Sequence, residues 1–311
     1  MPAGVLLCLA SAAAFGTMGI FGKLAYDDGA NVATLLALRF ALAAVLFWLL
    51  AIGTGAARGL RVLPRRDLAL ALALGAVGYS TQAACYFAAL ERLEASLLSL
   101  LLYTFPAIVT VAAIVLGRAA PSGRTALALG LASVGLVLVV GGAGAGELDP
   151  LGTLLGLTAA VCYATYILTS EGVARRVSPL LLSALVCTGA ATTLTLAGLA
   201  GGGLRPGALS AAGFGWLAAI AVVSTVAAVG LFFAGLRRVG PTTASILSTA
   251  EPLTTVLLAW LVFGEVLGTV QLAGGALVLA GVLVLSARRA IRPRTLVAVS
   301  GDARMEVRWG D

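Results

Sequence analysis

A carboxylate and a proline stand side by side in one of the most apolar stretches of the chain, "SILSTAEPLTTVLLAWLVFGE", residues 245–265. Glu251 lies near the middle of a predicted membrane-spanning helix, where a charged side chain costs about 2.5–3.5 kcal/mol on insertion scales. This position predicts a group that couples transport to protons or that binds the amine of a substrate. The alternative is a buried carboxyl that only holds the fold together.

Two prolines interrupt predicted helices at matching places in the chain. Pro252 lacks the N–H that would bond to the Ser248 carbonyl, so it opens one turn of its helix. Pro106 does the same in an earlier helix. We predict that both prolines are hinges beside the site. The alternative is that they are fixed kinks that shape the bundle.

Polar side chains follow one face of several predicted helices. Tyrosine favours the membrane interface, where its hydroxyl stays hydrated, yet five of the six tyrosines lie inside predicted spans. Within lipid these groups would lose their hydrogen bonds, so we expect them to face the bundle interior or a water-filled cavity. The predicted substrate-binding residues are Tyr79, Gln82, Tyr86, Ser99, Tyr103, Tyr163, Tyr166 and Ser248. The alternative is that such groups only join helices at packed interfaces.

Arg39, in "LLALRFALAAV", is the other charged residue well inside a predicted span. Its side chain could extend to the membrane surface, because long basic side chains place their charge in water. Otherwise it points inward as a partner for Glu251, for a carboxylate of a connecting loop or for an anionic group of a substrate. The residue pattern leaves these roles open.

Composition identifies the environment that must hold these residues. Hydrophobic residues make up 60% of the chain, charged residues 11%, and the mean hydropathy is +1.07. Because a soluble domain has about 25% charged residues, we predict an integral membrane protein. The formal charge of +7 is scattered between hydrophobic runs, which does not indicate nucleic-acid binding. Since the chain contains no histidine, His-based catalytic triads are excluded.

A spanning helix needs about 20 apolar residues, and ten such runs follow one another with short connections. They cover residues 4–22, 32–53, 68–90, 95–117, 124–141, 151–170, 180–201, 213–236, 241–263 and 268–287. With the N-terminus in the cytoplasm, fourteen arginines fall in or beside the inner connections, against only three basic residues in the outer ones. The positive-inside rule therefore supports ten helices, with both chain ends cytoplasmic, in a bacterial-type inner membrane.

The two halves of the chain resemble each other. "GVLLCLASAAAFGTMGIFGK" (4–23) aligns with "GTLLGLTAAVCYATYILTSE" (152–171) at an offset of 148 residues. In this alignment Lys23 corresponds to Glu171, and we expect both at the membrane interface. "FAALERLEASLLSLLLYTFP" (87–106) aligns with "FAGLRRVGPTTASILSTAEP" at an offset of 146.

Each repeat holds five helices, and because five is odd the second repeat must begin on the opposite side of the membrane. We predict an all-α integral membrane fold of ten transmembrane helices, arranged as two inverted five-helix repeats. The first repeat covers residues 1–146, the second covers 147–290, and a polar cytoplasmic tail covers 291–311. Inverted repeats are typical of secondary transporters, which bind substrate near the middle of the bilayer.

The segment "FFAGLRRVGPTTASILSTAEPLTTVLLAWLVFGEVLGTVQLAGGALVLAGVLVL" (232–285) resembles the EamA-type permeases of the drug/metabolite transporter superfamily. The matching features are the Glu-Pro pair at 251–252, the Gly-Glu pair at 264–265 and the glycines of the last helix. The first half departs from this pattern, with Phe105 in place of the acid and Arg118 where Glu265 would pair. The resemblance implies two five-helix units and export or facilitated passage of small metabolites.

We therefore predict a secondary transporter, not an enzyme, that moves small metabolites across the cytoplasmic membrane by alternating access. Amino acids and related compounds are the first expectation. The alternatives are a multidrug, nucleobase or sugar permease of the same superfamily, a lipid-modifying membrane enzyme, a scaffold or a lipid scramblase. Uniport and proton antiport both remain open, and so do export and import.

The expected partners are a small-molecule substrate and membrane lipid, with the chain as a monomer or a weak homo-oligomer. No cofactor or metal is predicted. "GTMGIFGKLA" (16–25) lacks the spacing of a phosphate-binding loop. "YDDG" (26–29) offers an acidic pair, but no second acidic cluster completes a metal site.

Overall fold

The computed structural model describes residues 2–118, 120–142 and 149–287. These residues form helices and no strand, and ten of the helices are long and apolar enough to cross a membrane. The predicted all-α membrane fold and the count of ten helices are confirmed. The predicted repeat boundary at 146–147 and the tail at 291–311 lie outside the described residues. Numbered in chain order, the spans are Pro2–Asp27, Val32–Gly53, Arg65–Leu90, Ala95–Val115, Gly123–Gly141, Pro150–Ala174, Pro179–Ala200, Ala211–Gly240, Thr243–Phe263 and Thr269–Ser286.

Because the spans alternate in direction, the loops gather at two ends of the bundle. The N-terminal end holds the start of the chain and the loops after spans 2, 4, 6 and 8, and the opposite end, termed the far end, holds the others. At the N-terminal end Arg176 donates two hydrogen bonds to the Asp67 carboxylate, at 2.9 and 2.8 Å. At the far end Arg92 lies 3.1 Å from Asp149. These pairs join the first five spans to the last five at both ends.

Close packing of small residues joins spans of the two halves in pairs. Gly135 of span 5 lies against Gly274 of span 10, where a Cβ added to Gly135 would sit 2.6 Å from the Gly274 carbonyl oxygen. Span 1 packs on span 8, span 2 on span 7, and span 3 on span 6. Exchanging spans 1–5 with spans 6–10 turns pair 1–8 into pair 6–3 and leaves pairs 2–7 and 5–10 unchanged. This is the pairing expected of two repeats related by a two-fold axis.

Three spans are interrupted near their middle. Span 1 breaks at Thr17, span 4 at residues 103–104 and span 9 at Thr249. Pro106 and Pro252 each lie in the first turn of the helical segment that follows the break. A proline is tolerated there because the first N–H groups of a helix have no partner within it. The breaks in spans 4 and 9 occupy matching repeat positions.

Spans 3 and 8 each contain one widened π-helical turn, at Leu74–Tyr79 and at Val222–Ala227. The two turns lie 148 residues apart, which is the offset of the sequence repeat. Ser80 and Thr225 each donate the side-chain hydroxyl to the carbonyl five residues earlier, at 2.8 and 2.9 Å. Spans 3 and 8 therefore depart from regular α-helix at corresponding positions of the two repeats. Such turns occur frequently at functional sites.

The two halves of span 4 differ in burial. In the segment Ala95–Leu102, near the far end, every residue from 95 to 101 is buried. In the segment Phe105–Val115, toward the N-terminal end, no residue is buried. The bundle is therefore packed more closely around span 4 at the far end than toward the N-terminal end.

Candidate functional site

Tyr103, at the break of span 4, reaches across to the break of span 9. Its hydroxyl oxygen lies 2.6 Å from the Ser248 carbonyl oxygen and 3.0 Å from Glu251 Oε2. The Ser248 carbonyl is the group that Pro252 leaves without a helical donor, so a hydroxyl of the first half fills this place. The Glu251 side chain is partly exposed and stands beside an opened turn rather than within an intact helix.

A continuous run of aromatic rings leads away from Tyr103 through four spans. Neighbouring rings have centroids 4.6–6.4 Å apart, in edge-to-face and stacked arrangements, the range in which aromatic pairs attract each other. In order, the rings belong to Tyr103, Phe105, Tyr163, Tyr166, Tyr79 and Phe40. Tyr79, Tyr163 and Tyr166 are partly exposed, so their surfaces are available to a ligand. The phenylalanines were not predicted, because an apolar residue in an apolar helix carries no polar signal.

The other predicted binding residues lie at packed contacts. Ser99 and Ser248 each donate the side-chain hydroxyl to a carbonyl of their own helix, at 2.8 and 3.0 Å. Gln82 and Tyr86 are buried. Of the predicted site, the aromatic run and the contacts of Tyr103 bring together Tyr79, Tyr103, Tyr163, Tyr166, Glu251 and the Ser248 backbone carbonyl.

Arg39 is buried in the bundle, with 2% of its surface exposed, and does not extend to the membrane surface. Its guanidinium lies over the rings of Phe40 and Phe87, at 4.8 and 5.3 Å from their centroids, where the ring faces attract a cation. Its Nε donates to Thr225 Oγ1 at 3.3 Å, so Arg39 joins span 2 to the π turn of span 8. Within the described parts of the chain, none of the four ion pairs includes Arg39.

A second cluster, at the far end, was not predicted as a unit. Lys23 Nζ lies 2.7 Å from Glu265 Oε1. Glu265 also accepts the backbone N–H groups of Ala95 and Ser96, at 3.1 and 3.0 Å, and the Ser96 hydroxyl at 2.7 Å. One buried carboxylate therefore joins the end of span 1, the start of span 4 and the loop between spans 9 and 10. The sequence predicts Lys23 at the membrane interface, but it does not predict Glu265 as its ion-pair partner.

The surroundings of Glu265 keep it charged. Burial raises the pKa of the Glu265 carboxyl. The ion pair with Lys23 and the hydrogen bonds from Ser96 together lower this pKa by more than burial raises it, so it lies below its usual value of 4.5. The cluster borders an open far-end cavity of about 570 Å³, which is also lined by Tyr26 and Arg92.

The sequence model of the EamA-like transporter family matches this chain twice, over residues 2–141 and 150–287. The chain belongs to the EamA-like transporter family. Each match covers five of the ten spans. The resemblance to EamA-type permeases is thereby confirmed, and the chain is a multi-pass membrane protein of a transporter family.

Relatives of this EamA-like chain are named as transporters without a substrate. A protein of Archaeoglobus fulgidus named as an uncharacterized transporter is 31% identical over 277 residues, which cover 88% of this chain and 93% of the relative. The uncharacterized transporter YcbK of Bacillus subtilis is 28% identical over 284 residues, covering 88% and 89%. A protein of known crystal structure aligns with a TM-score of 0.63 and 20% identity, over 94% of this chain and all of that one. This last likeness extends to the fold alone.

Proposed function

We propose that this EamA-like protein is a secondary transporter of small amine-bearing metabolites, amino acids and related compounds first, and that it works by alternating access. The observation that carries the proposal is the Glu251 carboxylate at one end of a run of aromatic rings. A carboxylate binds the ammonium group of a substrate, and ring faces attract a cation. The apolar part of the substrate rests on Tyr163 and Tyr166, which are partly exposed.

The packing around the site supports alternating access. Spans 1, 4 and 9 meet at the Lys23–Glu265 cluster, which holds these three spans together at the far end. The segment Phe105–Val115, on the other side of the site, has no buried residue. This arrangement is expected of a carrier that is open toward its N-terminal end. The change to the other state would bend spans 4 and 9 at the breaks before Pro106 and Pro252.

The membrane orientation belongs to the same proposal. The arginine-rich connections lie at the N-terminal end, so this end faces the cytoplasm under the positive-inside rule. The described conformation is then inward-facing, in a cytoplasmic membrane of bacterial type. Residues 1–146 and 147–290 act as two inverted repeats with the site between them.

Counterflow in proteoliposomes tests the proposal. Vesicles loaded with an unlabelled amino acid are expected to accumulate the same labelled amino acid, and Glu251→Gln is expected to abolish this uptake. Glu91→Gln serves as the matched control, because Glu91 is an exposed carboxylate of a far-end loop. If the vesicles take up organic cations or nucleobases but not amino acids, the proposed substrate class is wrong and the transported class takes its place. Failure with all three classes in correctly folded protein would overturn the transport proposal.

A further inference from the structure

One hydroxyl group faces two acceptors at the centre of the site. The Tyr103 hydroxyl oxygen is within hydrogen-bond distance of both the Ser248 carbonyl and the Glu251 carboxyl, at 2.6 and 3.0 Å. A phenol carries one hydrogen, and a carbonyl oxygen can only accept. The shorter contact takes that hydrogen to Ser248. The contact with Glu251 is then a hydrogen bond only when Glu251 carries a proton and donates it to Tyr103.

The Ser248 carbonyl competes for this hydrogen because of the proline four residues later. In an unbroken helix the N–H of residue 252 would bond to this carbonyl, but Pro252 has none. A carbonyl without a donor inside a membrane protein costs free energy, since no bulk water replaces the lost bond. Tyr103 therefore supplies from span 4 the donor that span 9 lacks.

We infer that Tyr103 is a positioning residue that transmits the protonation state of Glu251 to the helix break of span 9. With a proton on Glu251, a chain of two hydrogen bonds runs from Glu251 through Tyr103 to the Ser248 carbonyl. Without the proton, the carboxylate takes the Tyr103 hydrogen, because hydrogen bonds to charged acceptors are the stronger ones. The Ser248 carbonyl then loses its donor, and span 4 no longer closes the opened turn. This inference deepens the proposed function, since it assigns proton coupling to the same site.

The other titratable groups around Glu251 do not change charge in the pH range in which a carboxyl group titrates. Tyr79, Tyr86 and Tyr163 lie within electrostatic range of Glu251, and tyrosines normally titrate near pH 10. Span 1 packs on this part of span 9 at Gly16, next to the Glu251 carbonyl, a position that has no side chain to titrate. Arg39 interacts with Tyr79, and guanidinium groups do not lose their proton in proteins.

Pro252→Ala tests the competition for the hydrogen. This substitution restores an N–H four residues after Ser248, so the Ser248 carbonyl no longer depends on Tyr103 for a donor. The Tyr103 hydroxyl can then donate to the charged Glu251 without leaving that carbonyl unbonded. The deprotonated form is favoured, and the pH midpoint of Glu251 titration should move toward acid. A neutral hydrogen bond contributes about 1 kcal/mol, which corresponds to roughly 0.7 pH unit. The midpoint is read from the infrared carboxyl stretch of purified protein, assigned by its loss in Glu251→Gln.

The decisive comparison repeats Pro252→Ala in a Tyr103→Phe background. With no hydroxyl to compete for, the substitution should no longer move the midpoint. Pro106→Ala is the matched control: it restores the equivalent N–H in span 4, where no carboxyl precedes the proline, and should leave the midpoint in place. An unmoved midpoint in Pro252→Ala alone, or the same shift in both backgrounds, would overturn the inference.

One further measurement, besides the pH midpoint, keeps the inference testable apart from transport. Tyr103→Phe removes the acceptor of the protonated Glu251 carboxyl, so its infrared band should change frequency even if Pro252→Ala does not fold. An unmoved band would show that the hydrogen bond is absent. Because both readings use purified protein without substrate, failure of the counterflow assay and failure of this inference are separate outcomes.

Discussion

Lys23 and Glu265 form an ion pair at the far end, with 2.7 Å between Nζ and Oε1, and their repeat counterparts, Glu171 and Arg118, carry the opposite charges. The glycines before Arg118 and Glu265 have φ angles of 67° and 69°, so the chain leaves spans 4 and 9 in the same way. In this conformation Glu171 bonds instead to Arg175 at 2.6 Å, and Arg118 is exposed. The N-terminal end thus carries a charge-reversed copy of the far-end pair whose members are apart.

Alternating access predicts that the two pairs form in turn. When the far end opens, Arg118 and Glu171 are expected to meet and close the N-terminal end. Lys23→Met removes the far-end attraction and should increase the population with a short 118–171 distance by roughly tenfold, if the pair contributes about 1.4 kcal/mol. Spin labels at the exposed neighbouring positions Leu116 and Ala174, in a background without the native cysteines, report this distance and leave Arg118 and Glu171 in place. Lys23→Arg is the control that keeps the charge. A distribution that Lys23→Met leaves unchanged would contradict the prediction.

The far-end pair should be insensitive to pH in the neutral range. The pKa of Glu265 in the folded protein lies below 4.5, so its contribution to stability is present above that value and is lost as the pH falls through the lowered pKa. The difference in Tm between the wild type and Glu265→Gln should stay constant from pH 8 to pH 5 and shrink only in stronger acid. A difference that closes between pH 7 and pH 5 would show that Glu265 is not held in its charged form.

Tyr163 lies in the middle of the aromatic run, with ring centroids 4.6 Å from Phe105 and 6.4 Å from Tyr166. If the substrate rests on the ring, Tyr163→Phe should weaken binding little and Tyr163→Leu should weaken it about tenfold, since ring contacts contribute roughly 0.5–1.5 kcal/mol each. Ligand-induced shifts in Tm measure this difference. If Tyr163→Phe weakens binding as much as Tyr163→Leu, the hydroxyl and not the ring contacts the substrate.

The number of helices and much of the site could be predicted because both depend on local signals. Runs of apolar residues mark the spans, and Pro252 alone indicates that the Ser248 carbonyl is open. The donor that fills it could not be predicted, since Tyr103 is far away in the chain. The partners of Glu265 are equally distant, and two of them are backbone N–H groups, which any residue carries. The burial of Arg39 depends on two phenylalanines that look like ordinary lipid-facing residues.

The π turn of span 3 touches span 7 at a glycine that cannot be enlarged. A Cβ at Gly75 would overlap the carbonyl group of Val186, and a backbone group cannot rotate away as a side chain can. We expect Gly75→Ala to destabilise the fold by about 1–3 kcal/mol, the usual range for overpacking. Gly130→Ala, in the exposed face of span 5 with nothing within 4 Å, should be neutral or stabilise the protein by roughly 0.5–1 kcal/mol. Denaturation in detergent compares the two, and equal effects would contradict the close contact.

Substitutions of Arg39 can separate the contribution of side-chain packing to stability from the contribution of the buried charge. The guanidinium is enclosed by Phe40 and Phe87, and its Nε donates a hydrogen bond to Thr225. Arg39→Met fills a similar volume without the buried charge, whereas Arg39→Ala leaves a cavity, which typically costs about 2–5 kcal/mol for a large side chain. If the shape of the side chain dominates, the Tm of Arg39→Met should lie close to that of the wild type and well above that of Arg39→Ala. Equal losses in both variants would instead show that the cation–ring contacts and the bond to the π turn of span 8 hold the two halves together.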